Sequence, residues 1–173
     1  MLSGVLPLVA SLCLVPPVSG PVERPFVAPA CRFCPGNRAV DYLADPGEPV
    51  IAPVSGTVRF AGKVGGVGYV TIEVVNSNPV TRESERRLVT VGGLESSPSL
   101  VRGGEVGQGR RLGEAVGPTV SLSLREISTT GEAIHVDPEP HLGRLRRRRA
   151  RLVPLEFRPS IARAHRGVCA LTR

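Results

Sequence analysis

Histidine is scarce in this 173-residue chain: His135, His141 and His165 are the only three, and none lies in the first 134 positions. A metal site built on imidazoles can therefore draw no such ligand from most of the sequence. Lysine is scarcer still, with Lys63 alone, which leaves one candidate for an amine that could carry a covalent group. The longest apolar run, residues 5–18, is shorter than the roughly 20 residues needed to span a bilayer. No apolar stripe of helical period extends over about 12 residues, so little helix is expected. A Gly-x-Ser-x-Gly elbow is absent too, and with it the strained turn that exposes a serine nucleophile.

Charge is plentiful but unevenly placed. The net charge is +7, yet residues 144–173 hold ten Arg against one Glu, while residues 1–143 hold 12 basic and 14 acidic side chains. The body of the chain is thus near neutral, which excludes a globally basic nucleic-acid-binding protein and leaves no specific nucleic acid as partner. The run that begins at Arg144 and ends at Arg151 can contact polyanions such as teichoic acids, anionic lipid head groups or nucleic acid. Its like charges repel and no apolar stripe accompanies them, so residues 144–173 read as a disordered, solvated tail.

The apolar run ends in Val18-Ser19-Gly20, similar to a secretory signal with a small-residue cleavage site. Residues 1–20 are expected to be a signal peptide, residues 21–30 a proline-rich linker, and the protein secreted or associated with the cell envelope. Cys13 would leave with the signal, and the remaining Cys31, Cys34 and Cys169 are odd in number. In an oxidising compartment Cys31 and Cys34 most simply form a local disulfide, leaving Cys169 free or intermolecular. A redox pair ranks second and a metal knuckle third, since the latter needs four ligands and no second pair is evident.

From residue 31 to about 143 the pattern is of short β-rich runs separated by Gly, Pro, Asn and Ser. The clearest strands are residues 50–61, 68–75, 87–92 and 119–127, with Val70, Ile72 and Val74 alternating against Tyr69, Thr71 and Glu73. Strands at this spacing predict an all-β sandwich or barrel of short antiparallel strands.

Several motifs in order sharpen this. Gly36-Asn37-Arg38-Ala39-Val40-Asp41 has the frame of a Gly-His-x-x-x-Asp loop; residues 47–62 form a Gly-bounded hairpin around Pro49-Val50-Ile51-Ala52-Pro53; residues 101–113 are a Gly-rich turn passage; and Asp137-Pro138-Glu139-Pro140 closes the series. Together they resemble the lysostaphin-type cell-wall metallopeptidases, which implies a duplicated-hybrid-motif fold over residues 31–143. The resemblance further implies a catalytic zinc held by the loop His, the loop Asp and the second His of a His-x-His strand, with the first His of that pair and one more His serving the chemistry. Period-2 geometry puts i and i+2 on one face of a strand.

In this chain the matching positions read Asn37, Asp41 and Ser123 for the metal, and Ser121 and Gly93 for the catalytic histidines. Only Asp41 survives. Amide and hydroxyl groups are poor zinc donors, and binding of about 10–16 kcal/mol rests on thiolates or imidazoles. No cofactor is therefore expected, zinc being the cofactor only if the chain is an active endopeptidase. The resemblance implies a secreted peptidase-like domain without catalysis that binds peptidoglycan or regulates a cell-wall hydrolase. Two alternatives are an active zinc endopeptidase cutting cross-bridge peptides and a biotinyl or lipoyl carrier, whose strands also read like residues 49–58 but which would need Lys63 at a hairpin tip. His135 is expected on an exposed strand, His141 in packing and His165 in solvent; Asp41 can equally serve to bond the loop.

Overall fold

The computed structural model describes residues 12–31, 33–77, 84–145 and 168–169. Among these, strands dominate and the helical content is one 3-10 turn, Glu139–His141. In chain order the strands are β1 (Val22–Arg24), β2 (Val40–Leu43), β3 (Pro49–Ile51), β4 (Gly56–Val64), β5 (Val67–Ser77), β6 (Ser84–Gly92), β7 (Leu94–Ser96), β8 (Glu105–Val106), β9 (Arg111–Ala115), β10 (Thr119–Ile127), β11 (Ala133–Val136), β12 (Arg144–Leu145) and β13 (Val168–Cys169).

The large sheet runs β1-β2-β10-β6-β5-β4-β8, and a small sheet runs β3-β9-β7. Every pairing within these two sheets is antiparallel. β10 is the organising strand: β6 lines one of its edges, while β2 takes the first half of the other edge and β11 the second half. Its sequence dictates its faces. Val120, Leu122 and Leu124 are fully buried, and they alternate with the half-buried Ser121, Ser123 and Arg125, as the pleat requires.

The core lies between the two sheets. Val40, Val89, Val91, Val70, Ile72, Leu122 and Leu124 of the large sheet meet Val50, Leu94 and Leu112 of the small one. At about 1.5–3 kcal/mol for each fully buried aliphatic side chain, this cluster supplies the main driving force. Several glycines are required by backbone contact. A Cβ at Gly68 on β5 would lie 1.8 Å from the Leu94 carbonyl oxygen on β7, so the two sheets approach closely there, and one at Gly113 would lie 2.0 Å from the carbonyl oxygen of Glu95 on the neighbouring strand of the small sheet.

Two expectations are corrected. The run 50–61 is not one strand: β3 ends at Ile51 and β4 begins at Gly56, because Pro53 cannot donate to a ladder and the chain there passes from the small sheet to the large one. The folded domain also does not begin at residue 31. Leu12, Leu14, Val15 and Val18 are buried in the core, and the segment is tied down by main-chain bonds from Val15 N to Pro53 O, Ile51 N to Pro17 O and Leu14 N to His141 O. Residues 22–24, expected within a linker, form β1 and pair with β2. The apolar residues that suit a leader suit a protein interior equally, and the two uses are indistinguishable by composition. Residues 1–11 lie outside the described residues, as does the run between β12 and β13 that holds most of the arginine tail.

Candidate functional site

The face of the large sheet that points away from the small sheet carries the residues of interest. Antiparallel register lays them in a row: Asp41 on β2 opposes Ser121 on β10, Ser121 opposes Gly92 on β6, and Gly92 opposes Tyr69 on β5. One step along, Ser123 opposes Thr90 and Thr90 opposes Thr71, whose hydroxyls are hydrogen-bonded at 2.9 Å.

Asp41 is 4% exposed although it lies on this outer face. Two groups cover it. Asn37 donates from Nδ2 to Asp41 Oδ2 at 3.1 Å, and the same amide nitrogen lies 3.0 Å from the Pro25 carbonyl oxygen. Arg24 of β1 places Nη2 3.0 Å from Asp41 Oδ2. The loop that brings Asn37 there is closed by the Cys31–Cys34 disulfide and stapled to the preceding chain by reciprocal main-chain bonds between Val27 and Asn37. Gly36 is needed for that staple, since a Cβ there would meet the Val27 carbonyl oxygen at 2.7 Å.

Asn37, Asp41 and Ser121 are thus gathered, with Ser123 two residues along the same face. Gly93 is not part of the row. Its φ is +87°, in the left-handed region that glycine tolerates, and a Cβ would meet the Thr119 carbonyl oxygen at 2.4 Å. Gly92 is the residue on the site face, and there the bare Cα matters: a Cβ would lie 2.5 Å from the Tyr69 ring and 2.7 Å from Ser121 Oγ. The Tyr69 ring and Ser121 Oγ therefore both occupy the space above the Gly92 Cα.

The sequence reading missed four participants. Arg24 was placed in a linker. Arg125 follows Ser121 and Ser123 on the same face of β10, and the i, i+2, i+4 spacing was its signal. Tyr69 is brought in by pairing across β6. His135, expected to be exposed, is half-buried opposite Arg125; burial first, then the Arg125 and Arg38 guanidiniums, hold its pKa below the ordinary imidazole value. His141 is half-buried in the 3-10 turn, and His165 lies outside the described residues. Among the described residues no cysteine is free, and Cys13 is disulfide-bonded, where the sequence had assigned it to a departing leader. The side chain of Cys169, expected free, lies outside the described residues. Lys63 sits just before the Gly65-Gly66 turn and is ion-paired with Glu95 at 2.7 Å.

The donor set does not fit a zinc ion. It offers one carboxylate whose Oδ2 is occupied by an amide N–H and a guanidinium, both of them donors that repel a cation. Among the described residues no group of three or more His, Cys, Asp and Glu side chains converges. Serine hydroxyls beside it add neither charge nor a base, so no hydrolytic step through a metal can be derived from these residues.

No protein-family model matches the chain. Among curated proteins it is similar to the uncharacterised proteins Rv2891 of Mycobacterium tuberculosis and Mb2915 of Mycobacterium bovis, at 35% identity over 80 residues, which is 46% of this chain and 32% of each relative. The match thus spans about a third of those relatives. Among solved structures it resembles Helicobacter pylori Csd3 with a TM-score of 0.56 and 20% identity, covering 84% of this chain and 38% of that one. It also resembles the catalytic domain of the prophage-encoded M23 protein EnpA from Enterococcus faecalis (0.52, 20%, covering 73% and 95%) and that of the antimicrobial peptidase lysostaphin from Staphylococcus simulans (0.50, 16%, covering 70% and 90%). At such identities the likeness establishes the architecture, and the chain has the all-β fold of the lysostaphin-type M23 peptidases.

Proposed function

We propose that this domain is a non-catalytic, wall-binding member of the lysostaphin-type architecture, working outside the cytoplasm and engaging peptidoglycan through the open face of its large sheet. The observation that carries the reading is the Arg24–Asp41–Asn37 cluster. Where a peptidase of this fold would use a cation to balance its aspartate, this chain uses a guanidinium and an amide. Both are supplied by its own loop and edge strand. The residues flanking the cluster, Ser121, Ser123 and Thr90, provide hydroxyl groups suited to neutral hydrogen bonding and none suited to activating water.

The competing reading, an active zinc endopeptidase, makes opposite demands on the same experiment. The full chain is incubated with purified wall sacculi and excess zinc, then washed; retained protein, bound zinc and released peptides are measured together. The proposal expects retention on sacculi, zinc far below one equivalent and no peptide release. Stoichiometric zinc with turnover overturns it. Failure to be retained removes the wall-binding part and leaves regulation of a wall hydrolase as the remaining role for the fold.

A further inference from the structure

The site face continues beyond the row of Asp41 and Ser121 into a groove of about 550 Å³ over β4, β5 and β6. Its lining includes Arg59, Arg102 and Arg125 together with Phe60 and Tyr69, and among the described residues no carboxylate lines it. Glu73, two residues beyond Thr71 on β5, is held between Arg59, at 3.3 Å, and Arg86. This concentration of positive charge is unexpected in a body whose residues 1–143 hold 12 basic and 14 acidic side chains.

The basic character extends across the sheet. Arg125 stands on β10 opposite His135, and Arg24 lies at the far edge, paired with Asp41. From β2 to β4 the sheet crosses four strand spacings, roughly 19 Å at about 4.8 Å each. A single small anion cannot reach across that length, whereas a chain with recurring charges can. Guanidiniums present forked donors matched to carboxylate and phosphate. Between them lie the hydroxyls of Ser121, Ser123, Thr71 and Thr90, which can both donate and accept, as sugar hydroxyls do.

From this frame of arginines around a hydroxyl row, flanked by two aromatic rings, we infer that the face is a binding site for an anionic glycan, a sugar polymer carrying carboxylate or phosphate groups. The inference rests on the wall-binding reading and specifies its ligand: the charged polymer of the wall in place of the cross-bridge peptide.

The test uses the full chain and three defined probes of matched length: an oligogalacturonate, a neutral cello-oligosaccharide and a single-stranded oligonucleotide. Binding is measured by titration at two salt concentrations. The expected result is binding to oligogalacturonate at least tenfold tighter than to the neutral glycan, weakening as salt rises. Arg102→Ala/Arg125→Ala should lose at least tenfold in that affinity with an unchanged Tm, while Arg102→Lys/Arg125→Lys recovers most of the loss. A parallel chain with the tail arginines at 146–149 changed to glutamine should keep most of the binding. If that tail variant loses the binding and the groove variants keep it, the inference fails; tighter binding of the oligonucleotide, or equal binding of the neutral glycan, also overturns it. A last arm separates the two readings: sacculi with their anionic polymers intact or stripped by acid. Equal retention on both sinks the inference and leaves wall binding standing, whereas retention on neither, with oligogalacturonate still bound, sinks wall binding alone.

Discussion

Asn37 is hydrogen-bonded to Asp41 across one turn of loop, with the amide Nδ2 donating to carboxylate Oδ2 at 3.1 Å, and Arg24 reaches the same oxygen at 3.0 Å. The aspartate is 4% exposed, so these two groups take the place of water around Oδ2. Arg24 itself is largely exposed, with a side-chain accessibility of 69%, and solvent screens part of its contribution. Arg24→Ala is therefore expected to cost about 1–2 kcal/mol, read from the urea midpoint at neutral pH. Asp41→Asn in the Arg24→Ala background should recover part of that loss, because it removes the uncompensated buried charge.

The same cluster predicts what it takes to bring a metal back. Asn37→His alone is expected to leave zinc affinity weak, since Arg24 still occupies the carboxylate and Ser123 offers no strong donor. Asn37→His, Ser123→His and Arg24→Ala together should raise zinc affinity by at least a hundredfold in competition against a chromogenic chelator. Hydrolysis is not expected to follow. The third histidine cannot be restored at Gly93, where the φ of +87° and the Thr119 carbonyl 2.4 Å from a Cβ oppose any side chain. Gly93→His should instead destabilise the domain by about 1–3 kcal/mol, seen as a fall in Tm.

These outcomes mark what was legible in the sequence. The alternation of Val120, Leu122 and Leu124 against Ser121 and Ser123 defined both faces of β10 from sequence, because period 2 leaves a strand no other choice once one face is apolar. The loop motif around Asn37 and Asp41 was readable for the same kind of reason: both residues are local. Arg24 was not, because its role depends on an edge-strand pairing that brings residues 17 positions apart together, and the prolines around it mimic a linker. Gly92 and Gly93 differ in the face each presents and in backbone conformation, Gly93 alone having a positive φ, a distinction set by register with Ser121 and by the turn into β7. Neighbouring glycines in a sequence carry no label for that.

The N-terminal segment gives the sharpest conflict between a sequence signal and a packed structure. Leu12, Leu14, Val15 and Val18 are all buried, none more than 7% exposed, and Gln108 Nε2 donates to the carbonyls of Cys13 and Pro53. Burying four such side chains contributes roughly 6–12 kcal/mol at about 1.5–3 kcal/mol each, comparable to the whole stability of a small domain. A chain beginning at residue 21 is accordingly expected to lose cooperative unfolding or to drop steeply in Tm, whereas a chain beginning at residue 12 should retain most of its stability. Calorimetry of the two truncations, with Cys13 kept oxidised in the longer one, decides between a segment that belongs to the domain and one that can be removed.

His135 gives the fold a dependence on pH whose sign follows from its surroundings. Burial and the Arg125 and Arg38 guanidiniums lower its pKa below the unfolded value of 6.5, so the native state binds this proton less readily than the unfolded chain does. Stability from this group is fully present above pH 6.5 and is lost as pH falls through the native pKa. Glu48 acts in the same direction at lower pH: hydrogen bonds from Ser19, first through its main-chain N–H and then its hydroxyl, lower the carboxyl below 4.5, so its contribution is lost only as pH falls below that range. Between about pH 7 and 5 the slope of unfolding free energy against pH should therefore come chiefly from His135. His135→Gln should flatten that slope without changing the behaviour below pH 4.5, and denaturant titrations at half-unit steps would show it. A slope left intact by the substitution would mean that His135 is not the group whose protonation couples to unfolding in this range.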